Sequence, residues 1–495
     1  MRQILRGGRV LAADALSAPR QDVLIEGGRI TALLPPGTEV ADAKPHDAPD
    51  RLIMPGLVNT HTHGHGGLAK GLGDKWDLAV LLAHGAWANG GRGLEDKRLA
   101  TTLTAVEMLK KGCTAAYDLP SEIPGPTPDG LDAMAEAYIA VGLRAILAPM
   151  IGNLTFYEAT PGLIEALPEG MREQAAALRA QPGEVTLAAI GAAAESWSHD
   201  RHNIRLGIAP TIPLFGTDGF LRACRALARD QGLPMQTHVA EGRFQCGGAE
   251  ERYGTTLLAH MDAMGCVGPW FSVAHGVWLT DADLALLAER GAALAHNPGS
   301  NMRLASGIAP IRRALRAGVT VGLGTDGSGS SDNQNMFEAM RLAAFASRLI
   351  ESESEEDWLG TAETVLLGTA GSSRLMGLGG SGRIEAGASA DLVFLDLGHI
   401  NWMPFNNAAN QMVWTEDGSA VRDVMIGGDW KLRDGRVLGV DEAKLYQDAQ
   451  AAADRLWSTN AATRAWCEAV APHVACHCRG LAKKFTGATR LLPAH

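Results

Sequence analysis

The chain has no long apolar run, few cysteines and no surplus of basic charge, and each shortage excludes a class of protein. Seven scattered cysteines in 495 residues cannot build a disulfide framework. Cys113 and Cys266 sit in apolar surroundings that suit small core residues. Cys476-His477-Cys478, with His473 nearby, reads either as a metal-binding tract or as a surface feature. A lone C-x-C falls well short of paired C-x-x-C knuckles, so the surface reading is preferred. No stretch is apolar for the length of a membrane span, and residues 1–8 lack a signal core with a small-residue cleavage site. A soluble, cytoplasmic protein with no membrane partner is expected. A formal charge of -11 leaves no basic face for a phosphate backbone, which excludes nucleic acid and favours a small-molecule substrate. Low-complexity tracts are absent as well.

What the chain does have is rhythm, together with enough hydrophobic residues, 46%, for one large domain and a smaller one. Residues 4–11 and 22–30 read as short strands punctuated by Gly7-Gly8 and Gly27-Gly28. The pattern returns at 390–396, 421–428 and 430–437. Half-sets of strands at both ends predict one β-sandwich built from residues 1–56 and 376–440. Between them, 57–375 alternates apolar β-branched runs with helical stretches, the signature of βα units. Strands are expected at 57–60, 114–119, 143–150, 204–211, 234–239, 271–275, 292–297 and 319–326, and helices at 95–111, 129–141, 219–230, 281–289 and 335–351. Eight strands close a barrel, so the fold class is α/β, a distorted TIM (β/α)8 barrel with the sandwich beside it. The interval 152–195, with a helix over 171–179, breaks the rhythm and is read as a lid or specificity element. An Ala-rich helical tail follows at 441–495, its helix placed at 442–467, with a packing or subunit-contact role.

The barrel begins on Leu57-Val58-Asn59-Thr60-His61-Thr62-His63-Gly64-His65. Side chains alternate along a strand, so His61 and His63 share a face and can hold one metal ion. By itself an H-x-H also arises by accident. In a βα barrel, chemistry gathers at the carboxyl ends of the strands, and polar residues recur there: His238 and Glu241 after strand five, His275 after strand six, Asp326 after strand eight. Any one of them alone reads as a satisfied polar residue, whereas together they form the donor set of a catalytic metal, which keeps a position open for water and lowers its pKa. His61, His63 and His238 supply imidazoles. Asp326 supplies a carboxylate that touches the metal and accepts the water's proton. His275 stands beside water or substrate, and Glu241 is placed to protonate a ring nitrogen or leaving group.

The segments 55–63, Thr237-His238-Val239-Ala240-Glu241, Ala274-His275-Gly276, 297–303 and Gly324-Thr325-Asp326-Gly327 together resemble the amidohydrolase superfamily, in particular its branch of cytosine, guanine and S-adenosylhomocysteine deaminases and triazine hydrolases. The resemblance covers essentially the whole chain. It implies a mononuclear site with His61, His63, His238 and Asp326 on the metal, zinc or alternatively iron, Glu241 as proton shuttle and His275 orienting water or substrate. It also implies a homodimer or larger homo-oligomer. Binuclear relatives bridge their metals with a carboxylated lysine on strand four; 204–211 contains none. Relatives that remove halides or alkyl-sulfur groups can lack the glutamate. The sequence departs from the branch after His63, where Gly64-His65-Gly66-Gly67 replaces a longer apolar stretch ending in Arg-Gly. It departs again at His296-Asn297, where a cysteine is usual before Pro298, and in the polar loop 327–333. These departures point away from adenosine-type substrates.

The resemblance and the residues predict hydrolytic deamination of a nitrogen heterocycle of purine, pterin, pyrimidine or triazine type. The alternatives are hydrolysis of an amide, urea or carbamate, displacement of a halide by the same activated water, or an inactive scaffold homologue, which would have lost a ligand. Candidates for reading the substrate are His65, Trp87, Asn153 and Asn301, with Trp76, His84 and Asn297 behind them. Lone tryptophans on helices also serve as core, and Asn297 and Asn301 also serve to brace a Pro-Gly turn.

Overall fold

The computed structural model describes residues 2–331, 333–350, 352 and 354–485. Asp332 of the polar loop, Glu351 at the end of the expected helix 335–351, and residues 486–495 of the tail lie outside the described residues.

The strands of both chain ends are hydrogen-bonded into one nine-stranded sheet. Its join is the antiparallel pair Arg51–Pro55 and Leu392–Asp396, with Val393 opposite Met54. The segment leading into the parallel strands between the chain ends is thereby tied to the segment leaving them. Val23, Ile25, Ile53, Ile384, Phe394 and Met425 fill this sheet's own core, as alternation along half-buried strands requires.

Between them lies an α/β, TIM-barrel-like arrangement of parallel strands. One run pairs Leu57–Thr62, Cys113–Asp118, Arg144–Leu147 and Ile204–Leu206; the other pairs Met235–Val239, Phe271–His275, Ala293–His296 and Thr320–Leu323. The expected strands 143–150 and 204–211 are each broken in two. Their second halves, Met150–Ile151 and Ala209–Pro210, form a separate short ladder. Proline has no N–H for a ladder, and Pro149 and Gly207 stand at the breaks. The runs meet across their edges: Met235 bridges Ile208, and the Thr60 hydroxyl donates to the Leu323 carbonyl at 2.8 Å.

The helices start and stop where local chemistry dictates. The helix Asp218–Gln231 is capped by the Thr217 hydroxyl and ends at Gly232 with φ +64°, the left-handed position that glycine adopts without strain. The interval 152–195 carries four helices, with Glu169–Ala177 in place of the expected 171–179. The tail is two helices, Glu442–Thr459 and Ala461–Lys484, broken at Asn460, where one helix over 442–467 was expected. The second packs on Leu78–Ala88 and Arg243–Tyr253, both of which follow strands that carry candidate ligands. No described helix is long and apolar enough to cross a membrane.

Candidate active site

Every residue of Leu57–Thr62 is buried, and His61 projects toward Met235–Val239. Its Nδ1–H donates to Gln236 Oε1 at 2.7 Å. His63 Nδ1–H donates to the Leu119 carbonyl at 2.7 Å, His238 Nδ1–H to the Thr211 carbonyl at 2.7 Å, and His275 Nδ1–H to Asn301 Oδ1 at 2.9 Å. A ring that donates from Nδ1 presents a lone pair at Nε2, which is how outer hydrogen bonds orient metal-ligating histidines. The four Nε2 atoms converge. His63 and His238 approach to 3.4 Å through these nitrogens, while those of His61 and His275 are buried with no partner.

Asp326 closes the group. Its Oδ1 lies 3.0 Å from His63 Nε2 and 3.4 Å from His61 Nε2. Its Oδ2 accepts the Ser300 hydroxyl at 2.6 Å and stands 3.9 Å from His275 Nε2. Lone pairs that face one another and a carboxylate repel unless a cation lies among them. One proton satisfies one such contact, whereas a divalent ion satisfies the set. His61, His63 and His238, and likewise His61, His275 and Asp326, hold their donor atoms within 4.8 Å of one another. Nitrogen and carboxylate donors in this arrangement fit a divalent metal.

The electrostatics agree. Burial lowers the pKa of His61, lowers that of His238 well below its ordinary value, and brings His275 down to about 4. Burial acts on His63 in the same direction, but the Asp326 charge and hydrogen bond outweigh it and raise His63. Burial opposes the Asp326 charge, yet the adjacent rings of His63, first, and His61 hold its carboxyl well below the usual range. Glu241 behaves oppositely. It is 2% exposed, and burial, with the Asp326 charge adding, holds its carboxyl well above the usual range. Its Oε2 is 3.8 Å from His275 Nε2. His275, Asp326 and Ala240, which precedes Glu241, all have positive φ, 71°, 61° and 53°. Such strain is stored where function sets the backbone.

His65 is a different kind of histidine. The Ser121 N–H donates to its Nδ1 at 3.1 Å, so the proton of the neutral ring sits on Nε2 and the ring offers a donor. Burial, then His63 and Arg92, hold its pKa well below ordinary, so it is neutral. Its ring centroid is 5.6 Å from that of His63.

Asn301, 1% exposed, orients His275 and leaves Nδ2 without a partner; wholly buried Asn297 has a partner for neither end of its amide. Trp87 gives its indole N–H to His84 at 2.9 Å and packs its ring on Trp457 of the tail. Trp76 stacks on His84 with centroids 4.3 Å apart. Asn153 spends both ends of its amide on Thr217. These contacts tie Trp87 and Asn153 to neighbouring helices and not to the histidine cluster. Sequence reasoning assigned no role to Gln236 or Ser300. Gln236 was within reach, since it lies two residues before His238 and shares its face; Ser300 carries no such signal.

The profile of the amidohydrolase family matches residues 52–431. A 5'-deoxyadenosine deaminase of Methanosarcina mazei is 32% identical over 457 residues, 92% of this chain and 98% of that protein. A 5-methylthioadenosine/S-adenosylhomocysteine deaminase of Thermococcus onnurineus is 32% identical over 440 residues, covering 88% and 94%. Among solved structures, an adenosine deaminase from Xanthomonas campestris with bound zinc superposes with a TM-score of 0.81 at 28% identity over 92% of this chain and 98% of that one. An atrazine chlorohydrolase from Arthrobacter aurescens shares the fold, with a TM-score of 0.81 at 24% identity over 91% and 99%. By its profile, its relatives and a donor set that fits a divalent metal, this chain belongs to the amidohydrolase family.

Proposed function

We propose that this chain is a metal-dependent aminohydrolase that replaces an amine on an electron-poor ring carbon of a nitrogen heterocycle with oxygen from water. The observation that carries the reading is Glu241, a buried carboxyl whose pKa burial raises well above the usual range and whose Oε2 stands 3.8 Å from His275 Nε2. A carboxyl there suits a proton shuttle to the ring nitrogen beside the attacked carbon, and relatives 32% identical to this chain are deaminases.

His61, His63, His238 and Asp326 would hold the metal, with zinc the proposed ion, as in the zinc-bound deaminase of similar fold. When bound, such an ion supplies a water acidified to near neutral pH. The chain's residues do the rest. Asp326 takes the water's proton as the carbon–oxygen bond forms, His275 orients the attacking oxygen through Nε2, and Glu241 delivers its proton to the adjacent ring nitrogen. The carbon–nitrogen bond to the exocyclic amine then breaks, ammonia or a small amine leaves with the proton that Asp326 held, and the hydroxyl proton on the attacked carbon returns to Glu241 as the carbonyl forms. His65 Nε2–H and Asn301 Nδ2 are proposed to read substrate acceptors, while the polar atoms of Trp87 and Asn153 are bonded to His84 and Thr217.

The same reading takes the parallel strands 57–375 as one distorted (β/α)8 barrel, residues 1–56 and 376–440 as a composite sandwich, and 441–495 as a helical tail. It places the enzyme in the cytoplasm, acting on a small molecule, as a homodimer or larger homo-oligomer.

The test is ammonia or amine release by the metal-loaded enzyme from a panel of aminopurines and their nucleosides, pterins, pyrimidines, triazines and aryl ureas. Release from a heterocycle, abolished by Glu241→Gln with metal content intact, is the expected result. Cleavage of acyl or urea bonds alone, or an active Glu241→Gln enzyme, overturns the reading.

A further inference from the structure

The tail crosses the loops that follow the ligand-bearing strands. Arg479 pairs with Asp77, the cap of the helix Leu78–Ala88, at 3.4 Å; His477 Nε2–H donates to the Pro161 carbonyl at 2.7 Å; Lys484 pairs with Glu251 at 3.0 Å. Helix Arg243–Tyr253 lies so close that a Cβ on Gly247 would sit 2.7 Å from the Leu481 carbonyl. The tightest join is at the end. Arg243 Nη2 donates to the Phe485 carbonyl at 2.9 Å, and its guanidinium stands 5.4 Å from the centre of the Trp278 ring. The Phe485 ring meets Trp278 edge-on at 5.8 Å, and both are buried.

Trp278 is in turn bound to the catalytic turn. Its backbone N–H donates to the Ala240 carbonyl at 2.8 Å, and its indole N–H to the Ser306 carbonyl at 2.8 Å. Ala240 is the left-handed residue that swings Glu241 inward, and the Glu241 N–H is held by Gln245 Oε1 at 2.9 Å. The strained turn is thus braced by Gln245 from its own helix and by Trp278 from the loop after His275. A φ of 53° at an alanine persists only where its surroundings impose it.

We propose that the end of the carboxyl-terminal helix is a positioning element for catalysis: Phe485, fastened by Arg243, presses Trp278 onto the Ala240–Glu241 turn and holds Glu241 at its post. Arg243, Trp278 and Phe485 are positioning residues and touch neither substrate nor metal. The inference rests on Glu241 being the proton donor, and its test includes a measurement that needs no substrate.

In the full-length, metal-loaded enzyme, Arg243→Ala and Phe485→Ala lower kcat about tenfold or more, the scale expected for a small misplacement of a catalytic group, with KM and metal content nearly unchanged. Arg243→Lys, which keeps a donor for the Phe485 carbonyl, recovers most of the loss. Lys484→Ala, which removes only the exposed pair with Glu251, leaves kcat alone. By hydrogen exchange, amides 239–246 exchange faster in Arg243→Ala and Phe485→Ala and unchanged in Lys484→Ala, whichever substrate the enzyme takes. Unaltered exchange in the first two variants, unaltered kcat, or a loss of kcat that tracks loss of metal or that lysine does not rescue, overturns the proposal.

Discussion

The Ser300 hydroxyl donates to Oδ2 of Asp326 at 2.6 Å, which leaves Oδ1 facing His63 and His61. A hydrogen bond to a charged group contributes about 2 kcal/mol. Ser300→Ala therefore lowers kcat/KM by roughly thirtyfold while the fold and the alkaline half of the pH profile persist, as read by steady-state kinetics alongside circular dichroism.

Metal content is the most direct check on the nitrogen cluster. Elemental analysis finds one divalent ion per chain. Removal by a chelator abolishes turnover and lowers the thermal midpoint, and one equivalent of zinc restores both, because an ion that binds only the folded chain stabilises it. His238→Ala loses the ion. Two tightly held equivalents would contradict the single-site arrangement.

His65 presents a donor, so its replacement weakens substrate binding and leaves the metal in place. His65→Leu raises KM about tenfold, the value of one neutral hydrogen bond, with unchanged metal content. His65→Gln, which keeps an N–H, loses less. Loss of metal in His65→Leu would make it a ligand instead.

His296 sets an acid limit on stability. Burial, with His275 adding, holds its pKa down to about 3, against about 6.5 for a free imidazole. The unfolded chain therefore takes up a proton that the folded chain refuses. The shift costs nothing above about pH 6.5, and below it stability falls by about 1.4 kcal/mol per pH unit as pH drops toward 3. His296→Leu removes this slope, so urea midpoints at pH 7 and pH 5 lie closer together in the variant than in the wild type.

Much of the site was legible in the order of residues along the chain. Period two alone puts His61 and His63 on one face, and would have added Gln236 to His238. The βα rhythm puts Glu241, His275 and Asp326 at strand ends, since carboxyl ends are where loops from distant segments converge. The rhythm was less informative where proline or glycine interrupts a strand, at Pro149 and Gly207. It was least informative in the tail, where an Ala-rich helix looks the same whether it faces solvent, a partner or the molecule's own active site.

The sequence by itself determined which atoms are available as ligands and donors, because residue type and strand period are local properties. Only the tertiary structure decided what each of them does. His63 and His65 are two residues apart, yet Nδ1–H of the first donates a hydrogen bond to the Leu119 carbonyl and Nδ1 of the second accepts one from the Ser121 N–H. A tautomer is set by the partner on the far side of the ring, and that partner comes from the loop after another strand. For the same reason the first histidine pair can bind metal, the third histidine offers a proton, and the chain's last described residue bears on the turn that holds Glu241.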